Sequence, residues 1–332
     1  MPSVSVIIPL YQTERYILDA IRSVQDQTFR DFEIIVVDDG STDRGPEIVA
    51  RVNDRRLRLV HQENRGLAGA RNTGVREAKA PILAFLDADD LWHPLKLERL
   101  VAKLDADERV GVAFSASAFM DENGREIGLV QRPANRPIDA GHVFCRNPVG
   151  NGSAPVIRRA AFDAIAFFDD ALGRTCWFDE SFRQSEDIEC WTRIAATEQW
   201  TFAFVDEPLT LYRVGNGGLS SNVERQLETW RRFRAKVRAY APRLEEEFGN
   251  RAEAYQLRYL ARRAVRSSDG GTAMRLAFAA VKMSPSIIIA EPGRTLVTLA
   301  ASVARRFLPD RMFGSIERAA INATARRAAA RS

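Results

Sequence analysis

The chain is poor in the residues that build metal cages. It holds three histidines and three cysteines in 332 residues. Cys145, Cys176 and Cys190 have no C-x-x-C spacing and an odd count, which argues against a zinc cage and a disulfide framework. A reducing, cytoplasmic setting is therefore expected. No run of about 18 uncharged apolar residues occurs, so no spanning helix is expected. The N-terminus enters a strand pattern directly, so no signal peptide is expected either. After the first apolar run comes Pro9-Leu10-Tyr11-Gln12. A glycine-rich phosphate loop or G-x-G-x-x-G would have to stand there, and its absence counts against dinucleotide-dependent oxidoreduction. No internal repeat is firm enough to suggest a solenoid.

What is present is an ordinary globular composition, 45% hydrophobic and 28% charged, with the charge unevenly distributed. Residues 1–222 hold 26 basic and 34 acidic side chains, net −8; residues 223–332 hold 22 and 10, net +12. Such a split predicts two parts with different partners, 1–222 and 223–332.

The first part is organised around Ile82 to Trp92, ILAFLDADDLW. Five apolar residues suit a strand buried on both faces, and Asp87-Ala88-Asp89-Asp90 follows at its carboxyl end. Ligands of open α/β sheets bind at that end. Three carboxylates in four residues repel one another, which predicts a cation among them. Mn2+ or Mg2+ carrying a diphosphate fits, since both prefer oxygen ligands. A solvated acidic turn is the plain alternative.

The surrounding chain alternates strand and helix. Val4–Pro9 reads as a strand stopped by proline, and Phe32–Val37 as a second strand ending in Asp38-Asp39-Gly40-Ser41-Thr42-Asp43. Ser41 or Thr42 is placed to cap the next helix. Leu57–Val60 is a third strand, and a helix from about Leu67 to Lys79 carries Arg71 and Asn72. This is the rhythm of a doubly wound α/β sheet with a parallel core. Right-handed crossovers would bring Tyr11, Asp39 and Asp89 to one cleft. Further on, Val110–Ser115 is a strand, Asp121–Gly124 a hairpin turn, and 132–153 a long loop rich in Pro, Asn and Gly. Ala160–Ile165 and Asp187–Ala196 read as helices, Thr201–Val205 and Leu209–Tyr212 as two strands, and Gly215–Gly218 as a flexible end. From about Asn222 the pattern is helical. Trp230, Phe233, Val237 and Tyr240 form one stripe, and Leu257, Leu260, Ala261 and Ala264 another. Leu296–Leu308 is apolar on one face and runs into Arg305 and Arg306.

Five pieces together resemble the family-2 glycosyltransferases: VSVIIPLYQ at 4–12, VVDDGSTD at 36–43, ENRGLAGARNTG at 63–74, FLDADD at 85–90 and SEDIECWTRIA at 185–195. They stand in the family's order and span roughly residues 3–215. The resemblance implies a Rossmann-like A-type glycosyltransferase domain with a mostly parallel sheet, followed by an α-helical C-terminal region without a counterpart. It implies that Pro9 and Tyr11 line the nucleotide pocket and that Asp39 accepts a hydrogen bond from the base, often uracil. Asp38 is a further candidate there, or only a loop cap. Arg71 would approach the phosphates, or pair with an acid such as Asp39 or Asp89. Asp87 and Asp89 would be the D-x-D pair, Asp89 the metal ligand and Asp87 nearer the ribose or sugar, with Asp90 a third candidate. Asp187 would be the catalytic base and Glu186 its reserve; the plain alternative is an acid complementing a helix dipole. Tyr212-Arg213 matches a late family segment, but Gly215 stands where many relatives have histidine. Trp191 and Cys190 read as core, and His61, His93 and His142 as incidental.

The resemblance thus implies an inverting, metal-dependent hexosyl transfer from a nucleoside-diphosphate sugar, UDP foremost, to a glycan or lipid-linked acceptor of the cell envelope. The basic region 223–332 would pack as a helical cap or meet an anionic membrane from the cytoplasmic side; no nucleic-acid module is visible. Two other readings compete. A sugar nucleotidyltransferase would want a glycine-rich loop and lysine after the first strand. A non-catalytic glycan- or membrane-binding scaffold would not need Asp87, Asp89 and Asp187 intact.

Overall fold

The computed structural model describes residues 1–134, 136–215, 223–309 and 311–314. The chain separates into two compact units, 1–219 and 220–332.

In the first unit the strands and helices are β1 (Val4–Leu10), α1 (Ile17–Gln25), β2 (Phe32–Asp38), α2 (Gly45–Ala50), β3 (Leu57–His61), α3 (Gly66–Glu77), β4 (Ile82–Phe85), β5 (Leu91–Trp92), α4 (Lys96–Ala106), β6 (Val110–Met120), β7 (Glu126–Gln131), α5 (Ala140–Arg146), β8 (Pro155–Arg158), α6 (Arg159–Asp163), β9 (Phe167–Asp169), β10 (Arg174–Cys176), α7 (Glu186–Ala196) and β11 (Thr201–Arg213). A mixed sheet runs β3-β2-β1-β4-β8-β6-β11-β5, with β7 on β6; β9 and β10 pair separately. Strands β3, β2, β1 and β4 are parallel. β8 is antiparallel to both β4 and β6, and β11 is parallel to β6. The carboxyl ends of β1, β2, β4, β6 and β11 therefore share one edge, and the loop entering β8 meets them there.

Both faces of the sheet are covered because β1 is apolar except at Ser5 and β2 except at Glu33 and its last residue, Asp38. Alternation divides them. Val4, Val6, Ile8 and Leu10 pack under α1 and α4, while Ile7, Ile35 and Val37 pack under α3 and α7. Fully burying one such side chain stabilises by roughly 1.5–3 kcal/mol. Gly74 lets α3 lie close on β1: a Cβ there would fall 2.2 Å from Ile7 Cγ2.

The structure departs from the sequence reading at several places. β1 does not stop at Pro9 but continues to Leu10. Odd positions of β1 face β4, as the Leu86 N–H to Ile7 carbonyl bond shows, and pairing with β4 ends at Ile7–Phe85. The missing N–H of Pro9 thus costs no ladder bond. Neither Ser41 nor Thr42 caps α2; Asp43 accepts from the Gly45 N–H instead. The loop 132–153 contains α5, which Asp139 caps by accepting from His142 N. The two strands expected between 201 and 212 are one strand, β11, with register shifts around Val205, Pro208 and Thr210. Pro208 cannot donate to the ladder, so the strand bulges there rather than ending. The hairpin at 121–124 joins β6 to β7, with Asp121 accepting from Asn123 N and Arg125 N and Gly124 at φ +80°. Residues 216–218 of the expected flexible end lie outside the described residues.

The second unit comprises α8 (Val223–Tyr240), α9 (Pro242–Arg266), α10 (Gly270–Met283), α11 (Ser286–Ala290) and α12 (Pro292–Phe307). Leu227, Trp230, Phe233 and Val237 of α8 are buried, as are Leu257, Leu260, Ala261 and Ala264 of α9; Tyr240 is only half-buried. Arg234 joins Glu245 and Glu253 across the α8–α9 hairpin. Among the described residues no helix is long and apolar enough to cross a membrane.

Candidate active site

The site is built where β4 ends. The chain turns there, with Asp90 N donating to Asp87 O at 3.0 Å. Ser153, in the loop entering β8, fastens the turn: its Oγ accepts from Asp87 N at 2.9 Å and donates to Asp90 Oδ2 at 2.6 Å. From β11, Arg213 N donates to Asp90 Oδ1 at 2.9 Å and Arg213 Nε to Asp89 O at 2.7 Å. Beneath lies Lys96, fully buried, its Nζ donating to Ala154 O and Thr210 Oγ1 at 2.8 Å each. Burial depresses the Lys96 ammonium well below its usual range, against the opposing pull of Asp90.

The three acids differ in environment. Asp90 has no exposed surface, and its oxygens are spent on Ser153 and Arg213. In this structure Asp90 braces the turn from below. Burial, then the charges of Asp89 and Asp87, pushes its pKa well up. Asp89 is half-buried, and burial followed by the charge of Asp87 raises its pKa to about 6. Asp87 is also half-buried, and it takes Nη2 of Arg71 at 2.7 Å.

Arg71, on α3, was expected to approach the nucleotide or its phosphates, with pairing to an acid such as Asp39 or Asp89 as the alternative. The acids it pairs with are Asp87 and, through Nη1, Glu186 Oε1 at 2.8 Å. Its side chain is 2% exposed. Burial alone would lower its pKa, yet Asp87, Glu186 and Asp187 hold it above the usual arginine value. The loop before β8 approaches so closely that a Cβ on Gly152 would lie 2.1 Å from Arg71 Nη2 and 3.3 Å from Asp87 Oδ2.

The next residue of α3, Asn72, positions the chain leading to α7. Its Oδ1 accepts from Trp177 N and Phe178 N, and its Nδ2 donates to Phe178 O and Glu180 Oε1. α7 then opens with Ser185 at φ +65°, a left-handed conformation uncommon outside glycine. Glu186 and Asp187 occupy its first turn, where the helix dipole favours carboxylates. Burial outweighs that. Glu186 is raised to about 7 by burial, against the opposing Arg71, with Asp187 and Asp87 adding to the rise. The half-buried Asp187 is raised for the same first reason, and its Oδ1 accepts from Ile188 N.

At the ends of β1 and β2, Tyr11 is half exposed and Pro9 buried. Gln12 Oε1 accepts from Thr42 N and Asp43 N, tying the two loops together. Asp38 is a loop fastener: Oδ1 accepts from Ser41 N and Oδ2 meets His61 Nδ1 at 2.9 Å. Asp39 accepts from Gln62 Nε2, Arg65 N and Gly66 N, capping the start of α3.

Comparison with known proteins identifies the unit. The Glycosyl transferase family 2 model matches residues 5–166. The chain carries a family-2 glycosyltransferase domain. An uncharacterized glycosyltransferase of Rickettsia conorii is 32% identical over 217 residues, covering 64% of this chain and 33% of that protein. Another, from Nostoc, is 42% identical over 187 residues, covering 53% of this chain and 56% of that one. The chain thus spans about a third of the length of the first of these relatives. In fold, the glycosyltransferase domain and helices are similar to S. aureus TarS 1-349 in complex with UDP-GlcNAc (TM-score 0.60, 20% identity, 92% of this chain and 89% of that one). They are also similar to a mannosyltransferase, PcManGT of Pyrobaculum calidifontis, in complex with GDP-Man and Mn2+ (TM-score 0.56, 23% identity, 92% and 85%).

A divalent ion fits this glycosyltransferase domain in one particular way. Among the described residues no three His, Cys, Asp or Glu side chains gather to form a complete cage. The half-buried Asp89 instead stands two residues from Asp87, its pKa raised first by burial and then by the charge of Asp87. A hard cation bound by few carboxylates and completed by phosphate oxygens suits such a pair.

Proposed function

We propose that the domain transfers a sugar, with inversion, from a nucleoside-diphosphate donor to a hydroxyl of an envelope glycan or lipid-linked acceptor. The observation that carries this is the junction at Arg71, whose guanidinium ties Asp87 at the end of β4 to Glu186 at the start of α7. The D-x-D turn and the Glu186–Asp187 pair are thereby held on one wall of the same edge. The UDP-GlcNAc and GDP-Man held by proteins of similar fold support a sugar nucleotide as the donor class. We read UDP as its nucleotide. Tyr11, half exposed at the end of β1, offers a ring for the base. Asp39 has three of its roughly four acceptor positions filled, leaving one for a base N–H. Asp89 with Asp87 would hold Mn2+ or Mg2+, which when bound neutralises the leaving diphosphate.

In the reaction the acceptor oxygen bonds to the anomeric carbon as the carbon–phosphate oxygen bond breaks. The electron pair leaves with the diphosphate, and the hydroxyl proton passes to Asp187. An ordinary carboxylate, with pKa near 4, is a weak base for an alcohol, so proton transfer accompanies attack. The raised pKa of Asp187 strengthens it. Glu186 is spent on Arg71, which makes it a positioning residue. The basic helical unit serves, in this reading, to keep the domain at an anionic membrane where lipid-linked acceptors lie.

The test is to screen a panel of nucleotide sugars for hydrolysis and transfer, with wild type and Asp187→Asn. Donor binding retained with turnover lost in the variant supports the proposal. Full turnover in Asp187→Asn, or no activity with any sugar nucleotide, would overturn it.

A further inference from the structure

Helix α12 is mounted with its polar side inward. Thr295, Thr298 and Ser302 are buried. Their hydroxyls are satisfied within the chain: Thr298 Oγ1 donates to Arg294 O and Ser302 Oγ to Thr298 O, both at 2.7 Å. Thr295 Oγ1 accepts from Arg258 Nη1 at 2.6 Å, and Arg258, 2% exposed, also pairs with Glu291. On this side Thr295 partners the buried guanidinium on α9, while Thr298 and Ser302 satisfy themselves on their own helix.

The outward side is consequently apolar. At about 100° per residue, Leu296, Val297, Ala300, Val303 and Phe307 fall on one arc opposite the buried hydroxyls. All five are exposed, Val297 at 68% and Phe307 at 67%. Arginines 294, 305 and 306 stand outside that arc. Beyond the helix, residues 315–332 add four arginines against one glutamate in sequence. A contiguous apolar face marks a binding surface, and basic surroundings make an anionic lipid surface the complementary occupant.

We propose that α12 seats the protein in the membrane interface, lying flat with Leu296, Val297, Ala300, Val303 and Phe307 among the acyl chains of anionic phospholipid. This rests on the reading of the basic unit as the membrane-facing part and names the element that does the seating. The helix lies on the bilayer and does not span it, for no described helix is both long and apolar enough to cross. Its arginines meet the headgroups, so contact combines a salt-sensitive and a salt-resistant part.

The experiment is sedimentation of the full chain with vesicles of phosphatidylcholine alone or mixed with phosphatidylglycerol. Val297→Ser/Phe307→Ser is compared with Phe168→Ser, which removes an equally exposed ring from the first unit (62%). Wild type and Phe168→Ser are expected to pellet with the anionic vesicles. The double variant should partition at least roughly tenfold more weakly, as loss of two buried apolar side chains implies. Both substitutions lie on the surface, and unchanged circular dichroism would confirm folding. Equal pelleting of all three proteins overturns the assignment to α12 while leaving a membrane-facing basic unit. No pelleting of wild type overturns both. A wild-type dimer that Phe307→Ser dissociates, without lipid binding, would show that a second copy covers this face and would also overturn the proposal.

Discussion

Replacing Arg71 by methionine isolates the charge that holds the site together. The guanidinium is 2% exposed and lies between Asp87 at 2.7 Å and Glu186 at 2.8 Å. Methionine keeps much of the volume and removes the cation. Breaking a buried pair by deleting one partner costs about 3–5 kcal/mol, because the remaining carboxylates lose their counter-charge. The sign of the pH dependence follows. In the folded protein Glu186 is raised from 4.5 to about 7, so between these values the folded state binds more protons than the unfolded one, and stability falls as pH rises. At about 1.4 kcal/mol per pH unit, this penalty is roughly 3 kcal/mol once Glu186 is ionised. Without Arg71 the Glu186 pKa rises further and the fall steepens. Arg71→Met should therefore lose about 3–5 kcal/mol near pH 8. Near pH 5, where Glu186 is protonated, the deficit should be smaller, because on the Glu186 side only a hydrogen bond worth about 1–2 kcal/mol is then lost. Urea denaturation of both proteins at the two pH values measures this, and adding Glu186→Gln should return part of the pH 8 deficit. A deficit of equal size at both pH values would refute the electrostatic account.

Three further outcomes are expected. Asp89→Ala should abolish Mn2+-dependent UDP binding in calorimetry, whereas unchanged affinity would remove Asp89 from the ion. Wild-type affinity for UDP with Mn2+ should itself fall as the pH drops through about 6, since a protonated Asp89 cannot ligate; a flat profile would contradict that role. Gly74→Ala should lower stability by about 1–3 kcal/mol through overpacking against Ile7, and a neutral thermal melt would mean that α3 can lift from β1 at no cost.

Much of the glycosyltransferase domain was legible because its signals are local. Apolar runs ending in acids marked β2 and β4, and strand–helix alternation marked a sheet whose carboxyl ends share an edge. The Asp121–Gly124 turn marked a hairpin, since its residues need only one another. Where partners lie far apart in sequence, the reading failed. Arg71 could be seen, but not that it would choose Asp87 and Glu186, the latter 115 residues away. Ser153 and Gly152 stood in a loop without periodicity, and nothing local singled out Lys96.

The sequence alone determined that carboxylates stand at the ends of buried strands, because alternation of apolar and polar residues is a property of neighbours. Only the tertiary structure decided which carboxylates remain half-buried and which turn inward. Asp89 and Asp90 are adjacent in the chain, yet the second is fully buried because Ser153, in the loop entering β8, and the backbone N–H of Arg213, on β11, reach it. The same holds for α12: its two faces are written in the sequence, but which face points outward was decided by what packs beneath it, the buried Arg258 at Thr295 included. Burial and pairing depend on what packs from elsewhere, and no local pattern encodes that.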